Sequence, residues 1–143
     1  RKGSDRFVYN LMSDGELDEG PVWEAAMSAA HWKLGNLVCL VDVNRMQADG
    51  VSTSVMNFEP LADKWQAFGW HVQRVDGNDI PALVRAFDAA RELAEPKPRI
   101  IICDTKMAKG VPFLEAREKS HFIRVEAHEW AEAIAALDAG RKP

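Results

Sequence analysis

The stretch that decides the fold runs from Phe7 to Gly50. It consists of FVYNLMSDGELDEG (7–20) followed directly by PVWEAAMSAAHWKLGNLVCLVDVNRMQADG (21–50). Its pattern predicts two short apolar strands joined by an Ala-rich helix: a strand over Phe7–Met12, a helix from Pro21 to about Leu34, and a strand over Leu37–Val43. Proline is well tolerated in the first turn of a helix, which supports the start of that helix. A strand, a helical crossover and a second buried strand predict a parallel pair of strands.

The rest of the chain continues the same alternation of apolar runs and amphipathic segments. Further strands are predicted over His71–Val75 and Ile100–Cys103, and helices over Pro60–Phe68, Ile80–Leu93 and His128–Leu137, with Asp79 as the cap of the second. Arg45–Glu59 lacks clear periodicity and is predicted to be a loop, and Lys106–Ser120 is a long polar segment. The sequence therefore predicts a single domain over residues 1–143, with a three-layer α/β/α fold and a mainly parallel sheet.

Composition excludes several classes of protein. The 143 residues are 47% hydrophobic and 28% charged, which is typical of an ordinary globular domain, and the formal net charge of −4 argues against a nucleic-acid partner. Neither a signal peptide nor a long apolar span is visible, so we expect no membrane association and a cytoplasmic location. Cys39 and Cys103 lie in apolar runs without CxxC spacing, as expected of buried thiols in a reducing compartment. Because the sequence begins with Arg1 and not with an initiator Met, we expect it to be a piece of a longer chain.

Polar residues follow each predicted strand. In chain order these are Ser13-Asp14-Gly15, Asp42-Val43-Asn44, Asp76-Gly77-Asn78 and Asp104-Thr105-Lys106. Ligands of open parallel sheets gather at the carboxyl ends of the strands, and one crossover brings Asp14 and Asn44 to neighbouring ends. Either residue alone is typical of a turn. Together they offer Mg²⁺ the oxygen ligands that it prefers, and Gly15 would allow a phosphate to approach the backbone. The spacing thus predicts a crevice for a cation and a phosphate.

Three further acids, Glu16, Asp18 and Glu19, crowd the turn after Asp14. Acids near a helix N-terminus are favoured by the helix dipole, which accounts for Glu16 and Asp18. Glu19 directly precedes Gly20-Pro21 and is held more rigidly, so it is the better functional candidate.

Several motifs together resemble one family. They are SDGELDEG (13–20), WEAAMSAAHWKLGNL (23–37), VDVNRMQADG (41–50), KWQAFGW (64–70), VDGND (75–79) and KPRIIICDTKMAKG (97–110). This set resembles the thiamine-diphosphate signature of transketolases, and the resemblance covers nearly the whole chain. The LGNL and N-x-x-x-x-DG elements fit transketolases better than the E1 dehydrogenases or deoxyxylulose-phosphate synthase.

The resemblance implies a role for each of nine residues. Mg²⁺ would be bound by the side chains of Asp14 and Asn44 and by the backbone carbonyl of Met46, and the diphosphate by backbone near Ser13, Asp14 and Gly15. Ala48 and Met107 would lie around the thiazolium ring of the cofactor. Glu19 would communicate with a second subunit, and His121 would lie near the diphosphate and the substrate. The implied cofactors are thiamine diphosphate and Mg²⁺.

The chain departs from the family pattern in two ways. The motif begins with Ser13 rather than glycine, although serine still offers its N–H. In addition, the resemblance covers the C-terminal two-thirds of a diphosphate-binding domain and no pyrimidine-binding domain. The implied partner is therefore a pyrimidine-binding domain or C-terminal subunit in a homo- or hetero-oligomer.

The implied activity is transfer of a two-carbon ketol unit between sugar phosphates. Two alternatives remain open at this point. One is an E1-type component that decarboxylates 2-oxoacids, because transketolases and E1 components would have the same metal site at Asp14 and Asn44. The other is a non-catalytic fragment or assembly subunit that retains the fold.

Overall fold

A four-stranded parallel sheet organises the structure, a computed structural model that describes residues 5–117, 121 and 124–140. The strands in these residues are β1 (Val8–Ser13), β2 (Leu37–Val43), β3 (Met46–Gln47), β4 (Gly50–Val51), β5 (His71–Asp76) and β6 (Arg99–Asp104). The α-helices are α1 (Gly20–His31), α2 (Ser52–Val55), α3 (Leu61–Ala67), α4 (Ile80–Glu92), α5 (Pro112–Glu115) and α6 (Ala127–Gly140), and a 3₁₀ helix spans Gly15–Asp18.

The sheet has the strand order β1-β2-β6-β5, with every neighbouring pair parallel. Strand β6 is buried on both faces, and its side chains alternate between two apolar layers. Ile100 and Ile102 pack in the layer that contains residues of α1 and α3, whereas Ile101 and Cys103 pack in the layer that contains residues of α4. Helices therefore cover both faces of the sheet, and the predicted three-layer α/β/α fold is confirmed.

Aromatic side chains anchor α1 beside the sheet. The Trp65 and Trp70 rings lie 4.8 Å apart between centroids, and the tilted ring of Trp23 lies 5.4 Å from that of Trp65. The indole N–H of Trp70 donates to the carbonyl of Ala26, 3.0 Å away, and that of Trp23 donates to the carbonyl of Leu17, 2.8 Å away. Because Leu17 lies in the 3₁₀ helix directly after Asp14, this packing also holds the turn that follows β1.

Most predicted elements agree with the structure to within a few residues, and the predicted cap of α4 is confirmed. Asp79 accepts a hydrogen bond from the backbone N–H of Ala82, 3.1 Å away. Both cysteines are buried and unpaired, as predicted, and burial raises the pKa of each thiol to about 11. Among the helices in the described ranges, none is long and apolar enough to cross a membrane.

Two segments have more structure than predicted. The supposed loop Arg45–Glu59 contains the β3–β4 hairpin and α2, and the polar segment Lys106–Ser120 contains α5 in its described part. These elements are two to four residues long, which is too short to produce a readable periodicity. The prediction that Arg45–Glu59 is a loop throughout was wrong, and the correction matters because Arg45 and Ser52 contact Asp14.

Glycine is required at position 77, where β5 ends, because of close packing against β6. A Cβ atom at Gly77 would lie 2.5 Å from Cγ2 of Thr105 and 2.8 Å from Cβ of Cys103. We expect Gly77→Ala to lower the free energy of unfolding by about 1–3 kcal/mol, the usual cost of overpacking. Urea denaturation followed by circular dichroism measures this. Gly20→Ala is the control, since a Cβ there meets no atom within 4 Å; equal effects of the two substitutions would contradict the packing explanation.

Candidate functional site

The candidate site lies where β1 and β2 end side by side. Ser13 is in register with Asp42, and the backbone N–H of Asp14 donates to the carbonyl of Asp42, 3.1 Å away. This parallel pairing places Asp14 next to the Asn44-Arg45-Met46 segment that leaves β2. The two strand ends meet as the sequence predicted.

Asp14 is a buried carboxylate whose two oxygens have different environments. Oδ2 accepts hydrogen bonds from the backbone N–H of Arg45 at 2.8 Å and from the hydroxyl of Ser52 at 3.0 Å. Oδ1 is buried and has no hydrogen-bond partner among the described residues. Burial raises the pKa of the Asp14 carboxyl above its ordinary value, although the hydrogen bonds from Arg45 and Ser52, and the backbone N–H of Gly15 nearby, act in the opposite direction. The arrangement leaves one buried oxygen open to a cation.

Asn44 is held beside Asp14 by a short turn. Its Oδ1 accepts from the backbone N–H of Met46 at 2.9 Å, and its Nδ2 donates to Oδ2 of Asp42 at 3.1 Å. These two contacts determine which end of the amide is the oxygen. Between Asn44 and Met46, Arg45 adopts a left-handed backbone with φ of 65°, a conformation that is unfavourable for a residue with a side chain. An amide oxygen has a second lone pair, so Asn44 can still accept a ligand.

A charged network borders this site at the ends of β5 and β6. Arg74 forms two hydrogen bonds with the Asp104 carboxylate, at 2.7 and 2.8 Å, and two with the Glu59 carboxylate, at 2.9 and 3.4 Å. The guanidinium of Arg45 lies 3.4 Å from the same Asp104 carboxylate. The hydrogen bonds from Arg74 lower the pKa of both Glu59 and Asp104. Asp104 therefore links Arg45, in the loop after β2, with Arg74 on the edge strand β5.

Ser13 and Gly15, predicted to face a diphosphate, have different surroundings. The backbone N–H of Ser13 donates to Oε2 of Glu16 at 2.7 Å, and its hydroxyl lies 3.2 Å from the same oxygen. The N–H of Ser13, which was predicted to contact the diphosphate, is thus already hydrogen-bonded to the Glu16 carboxylate. A Cβ at Gly15 would be in ordinary contact with Gln47, 3.5 Å away, so packing within the chain does not itself require glycine there.

The pairing of β1 with β2 brings Asp14 to the Asn44–Met46 turn, and the structure places the four other predicted residues as follows. Glu19 is the exposed residue immediately before α1, and Ala48 is exposed in the turn of the β3–β4 hairpin. Met107 is half-buried shortly after β6. His121 is exposed, and residues 118–120 and 122–123 around it lie outside the described residues. The roles assigned to all nine predicted residues stay predictions.

The donor set fits a hard divalent cation that is shared with a phosphate ligand. In residues 5–117, 121 and 124–140 no group of three or more His, Cys, Asp or Glu side chains could hold a metal ion. Asp14 and Asn44 contribute only one carboxylate and one amide. Mg²⁺ is usually bound in this way, by one or two protein side chains together with phosphate oxygens and water rather than by a cage of side chains. The buried unpartnered Oδ1 of Asp14 supports the same fit.

Sequence reasoning missed three residues that build this site. Ser52 is completely buried and donates to Asp14, whereas Arg74 and Glu59 form the charged network. Their partners lie 15 to 38 residues away in sequence, so local pattern carries no signal for them.

Comparison with known proteins identifies the class of domain that this geometry represents. The profile of the family described as "Transketolase, thiamine diphosphate binding domain" matches residues 1–140. The chain is thus a thiamine-diphosphate-binding domain, and it belongs to the transketolase family.

Individual relatives agree with this assignment. The chain is 72% identical over 140 residues to the transketolase family protein y4mO of Sinorhizobium fredii, which covers 98% of this chain and 50% of that protein. It is 41% identical over 131 residues to the 6-deoxy-6-sulfo-D-fructose transketolase subunit SqwG of Clostridium sp. MSTE9, covering 92% of this chain and 47% of that subunit. A crystal structure of transketolase from Campylobacter jejuni superposes with a TM-score of 0.84 at 30% identity, over 94% of this chain and 21% of that one. The chain spans about half the length of these two curated relatives.

The charged network makes a testable contribution to stability. Because Arg74 lowers the folded-state pKa of Glu59 and Asp104, the unfolded chain binds more protons than the folded chain as the pH falls. The stabilisation is present above the ordinary carboxyl pKa values, near 4, and is lost as the pH falls through the lowered values. We expect Arg74→Met to lower the free energy of unfolding by about 1 kcal/mol at pH 7, since the network is partly exposed, and by less at pH 3.

Urea denaturation at both pH values measures this difference. Lys97→Met is the control, since it removes only the exposed ion pair of Lys97 with Glu95 and is expected to leave the free energy of unfolding unchanged. A loss at Arg74 that is the same at pH 7 and pH 3 would contradict the electrostatic explanation.

Proposed function

We propose that this chain anchors the diphosphate of thiamine diphosphate through Mg²⁺ bound by the Asp14 and Asn44 side chains and the Met46 carbonyl. The observation that carries the proposal is the buried Oδ1 of Asp14, which has no hydrogen-bond partner in the described part of the chain, while the residue after Asn44 donates its N–H to the other oxygen of the same carboxylate. An unpaired oxygen of a buried carboxylate is costly. A divalent cation with its attendant phosphate oxygens would offset that cost.

The neighbouring backbone supports the same arrangement. The left-handed turn at Arg45 keeps Asn44 and Met46 on either side of the residue whose N–H contacts Asp14. The Met46 carbonyl would complete three protein ligands, leaving the remaining positions of an octahedral shell to diphosphate and water. Backbone near Ser13–Gly15 would contact the diphosphate after the Glu16 carboxylate moves away from the Ser13 N–H. Ala48 and Met107 would border the thiazolium ring.

The proposed reaction is transfer of a two-carbon ketol unit between sugar phosphates. The bound cofactor supplies carbanion chemistry, while the protein supplies binding, orientation and electrostatics. In this chain Asp14, Asn44 and Met46 would hold the anionic end of the cofactor, and His121 would contact the diphosphate and substrate. The relationship to SqwG, named as a transketolase subunit for a sulfonated sugar, favours transketolase chemistry over 2-oxoacid decarboxylation.

A partner would complete the site. The domain is proposed to be the C-terminal two-thirds of a diphosphate-binding domain, with a pyrimidine-binding domain on the same or another polypeptide. Two findings support this proposal. The chain spans about half the length of the two curated relatives, and one of them, SqwG, is named as a subunit. Exposed Glu19 would face that partner in an assembly that is at least dimeric. We place this assembly in the cytoplasm, where the free thiols of Cys39 and Cys103 remain reduced.

The metal ligands can be tested in the complete enzyme, meaning the polypeptide that contains this chain together with its pyrimidine-binding domain. We expect Asp14→Ala to weaken Mg²⁺-dependent binding of thiamine diphosphate by about 100-fold or more, since loss of an outer-shell partner alone costs 10–100-fold. Asn44→Ala is expected to weaken it less, because a neutral ligand is lost. Isothermal titration calorimetry measures both. Asp63→Ala, an exposed acid on α3, is the control; unchanged binding by Asp14→Ala would contradict the proposal.

The need for a partner and the reaction class can be tested together. We expect the isolated chain to bind Mg²⁺ and thiamine diphosphate at least about tenfold more weakly than the complete enzyme, since it would contact only one end of the cofactor. Calorimetry compares the two forms. Tight binding by the isolated chain would contradict the idea of an incomplete site.

The reaction class is tested by turnover in the complete enzyme. Turnover of pyruvate rather than a ketose phosphate would favour the E1-type alternative. Absence of both cofactor binding and turnover in any assembly would favour a non-catalytic subunit.

A further inference from the structure

Ser52 is a completely buried polar residue outside the predicted set of site residues. Its side chain and backbone have 0% relative exposure, although it begins the four-residue helix α2, whose next two residues are exposed. It lies 38 residues from Asp14 in sequence but touches that carboxylate. A hydroxyl group is costly to bury unless its hydrogen bond is made, so the position of Ser52 is determined by its partners.

Ser52 donates two hydrogen bonds that close a ring with Asp14 and Arg45. Its hydroxyl donates to Oδ2 of Asp14 at 3.0 Å, and its backbone N–H donates to the carbonyl of Arg45 at 3.0 Å. The N–H of Arg45 in turn donates to the same Oδ2, at 2.8 Å. Asp14 after β1, Arg45 after β2 and Ser52 at the start of α2 are therefore linked to one another by three hydrogen bonds.

The distribution of these hydrogen bonds is unequal. Both donors converge on Oδ2, while Oδ1 of the same carboxylate is buried without a partner in the described residues. If Ser52 served only to make burial of the Asp14 charge tolerable, sharing the two donors between both oxygens would satisfy the carboxylate better. Two donors on one oxygen instead fix the plane of the carboxylate and keep the other oxygen available.

From this arrangement we infer that Ser52 is a positioning residue of the metal site. Its hydroxyl holds Asp14 so that Oδ1 remains available to the cation. Its backbone N–H holds the Arg45 carbonyl, and so maintains the left-handed turn that places Asn44 and Met46 beside Asp14. The inference rests on the proposed function, in which Asp14 binds the metal. Outer-shell partners that orient a ligand commonly contribute 10–100-fold to metal affinity.

The test compares Ser52→Thr with Ser52→Val in the complete enzyme. The two side chains have the same shape and differ only in the hydroxyl, so any crowding from the added methyl group is common to both. The readout is the Mn²⁺ dissociation constant in the presence of thiamine diphosphate, measured by electron paramagnetic resonance of free Mn²⁺. We expect Ser52→Val to bind Mn²⁺ about 10–100-fold more weakly than Ser52→Thr. Ser54→Ala, an exposed serine on the same helix, is expected to match the unmodified enzyme.

Two further variants make every outcome decisive. If Asp14→Ala weakens Mn²⁺ binding while Ser52→Thr and Ser52→Val bind equally, Asp14 is a ligand and Ser52 does not position it. If Asp14→Ala also binds normally, the proposed function itself fails. Ser52→Ala removes the hydroxyl without adding volume, and thermal unfolding in excess chelator reports folding without metal. Loss of the folded state by both Ser52→Val and Ser52→Ala in chelator would show a structural role and overturn the inference.

Discussion

The candidate site depends on one buried carboxylate whose oxygens are satisfied unequally. Asp14 is 1% exposed, and among the described residues Oδ2 accepts hydrogen bonds from Arg45 and Ser52 whereas Oδ1 has no partner. Burying a charge without full compensation costs free energy that the rest of the fold must offset. The apolar layers on both faces of the sheet supply that stability. The unsatisfied oxygen is therefore a stable feature of the fold rather than a local accident.

The register of the parallel sheet determines which groups meet at this carboxylate. Pairing of Ser13 with Asp42 brings the N–H of Arg45, 31 residues from Asp14, within hydrogen-bond distance. The same edge of the sheet carries Asp104, whose charge is compensated by Arg74 and, at longer range, by Arg45. The backbone N–H of Arg45 thus donates to Asp14, and its guanidinium forms an ion pair with Asp104. A shift of register by one residue would separate all these groups, since it would turn each side chain to the opposite face.

How much of the fold and of the candidate site could be predicted depends on how far apart in sequence the contacting residues lie. The strands, α1 and α4 have clear apolar periodicity, and the meeting of Asp14 with Asn44 follows from one crossover between neighbouring strands. The β3–β4 hairpin and α2 are too short for a periodic signal. The contact of Ser52 with Asp14 depends on how those elements fold back across the strand ends. The transketolase resemblance predicted the ligands, but the residues that contact Asp14 become visible only in three dimensions.

Charge explains why metal and diphosphate would have to bind together in the proposed site. The Asp14 carboxylate lies at the end of β1, and the Glu16 carboxylate already occupies the N–H of Ser13. A diphosphate approaching without a cation would meet both negative groups, and the guanidinium of Arg45 lies against Asp104 instead. A cation bound without diphosphate would find only three protein ligands. Because each ion lacks sufficient compensation alone, their binding should be strongly coupled, each raising the affinity of the other by the same factor.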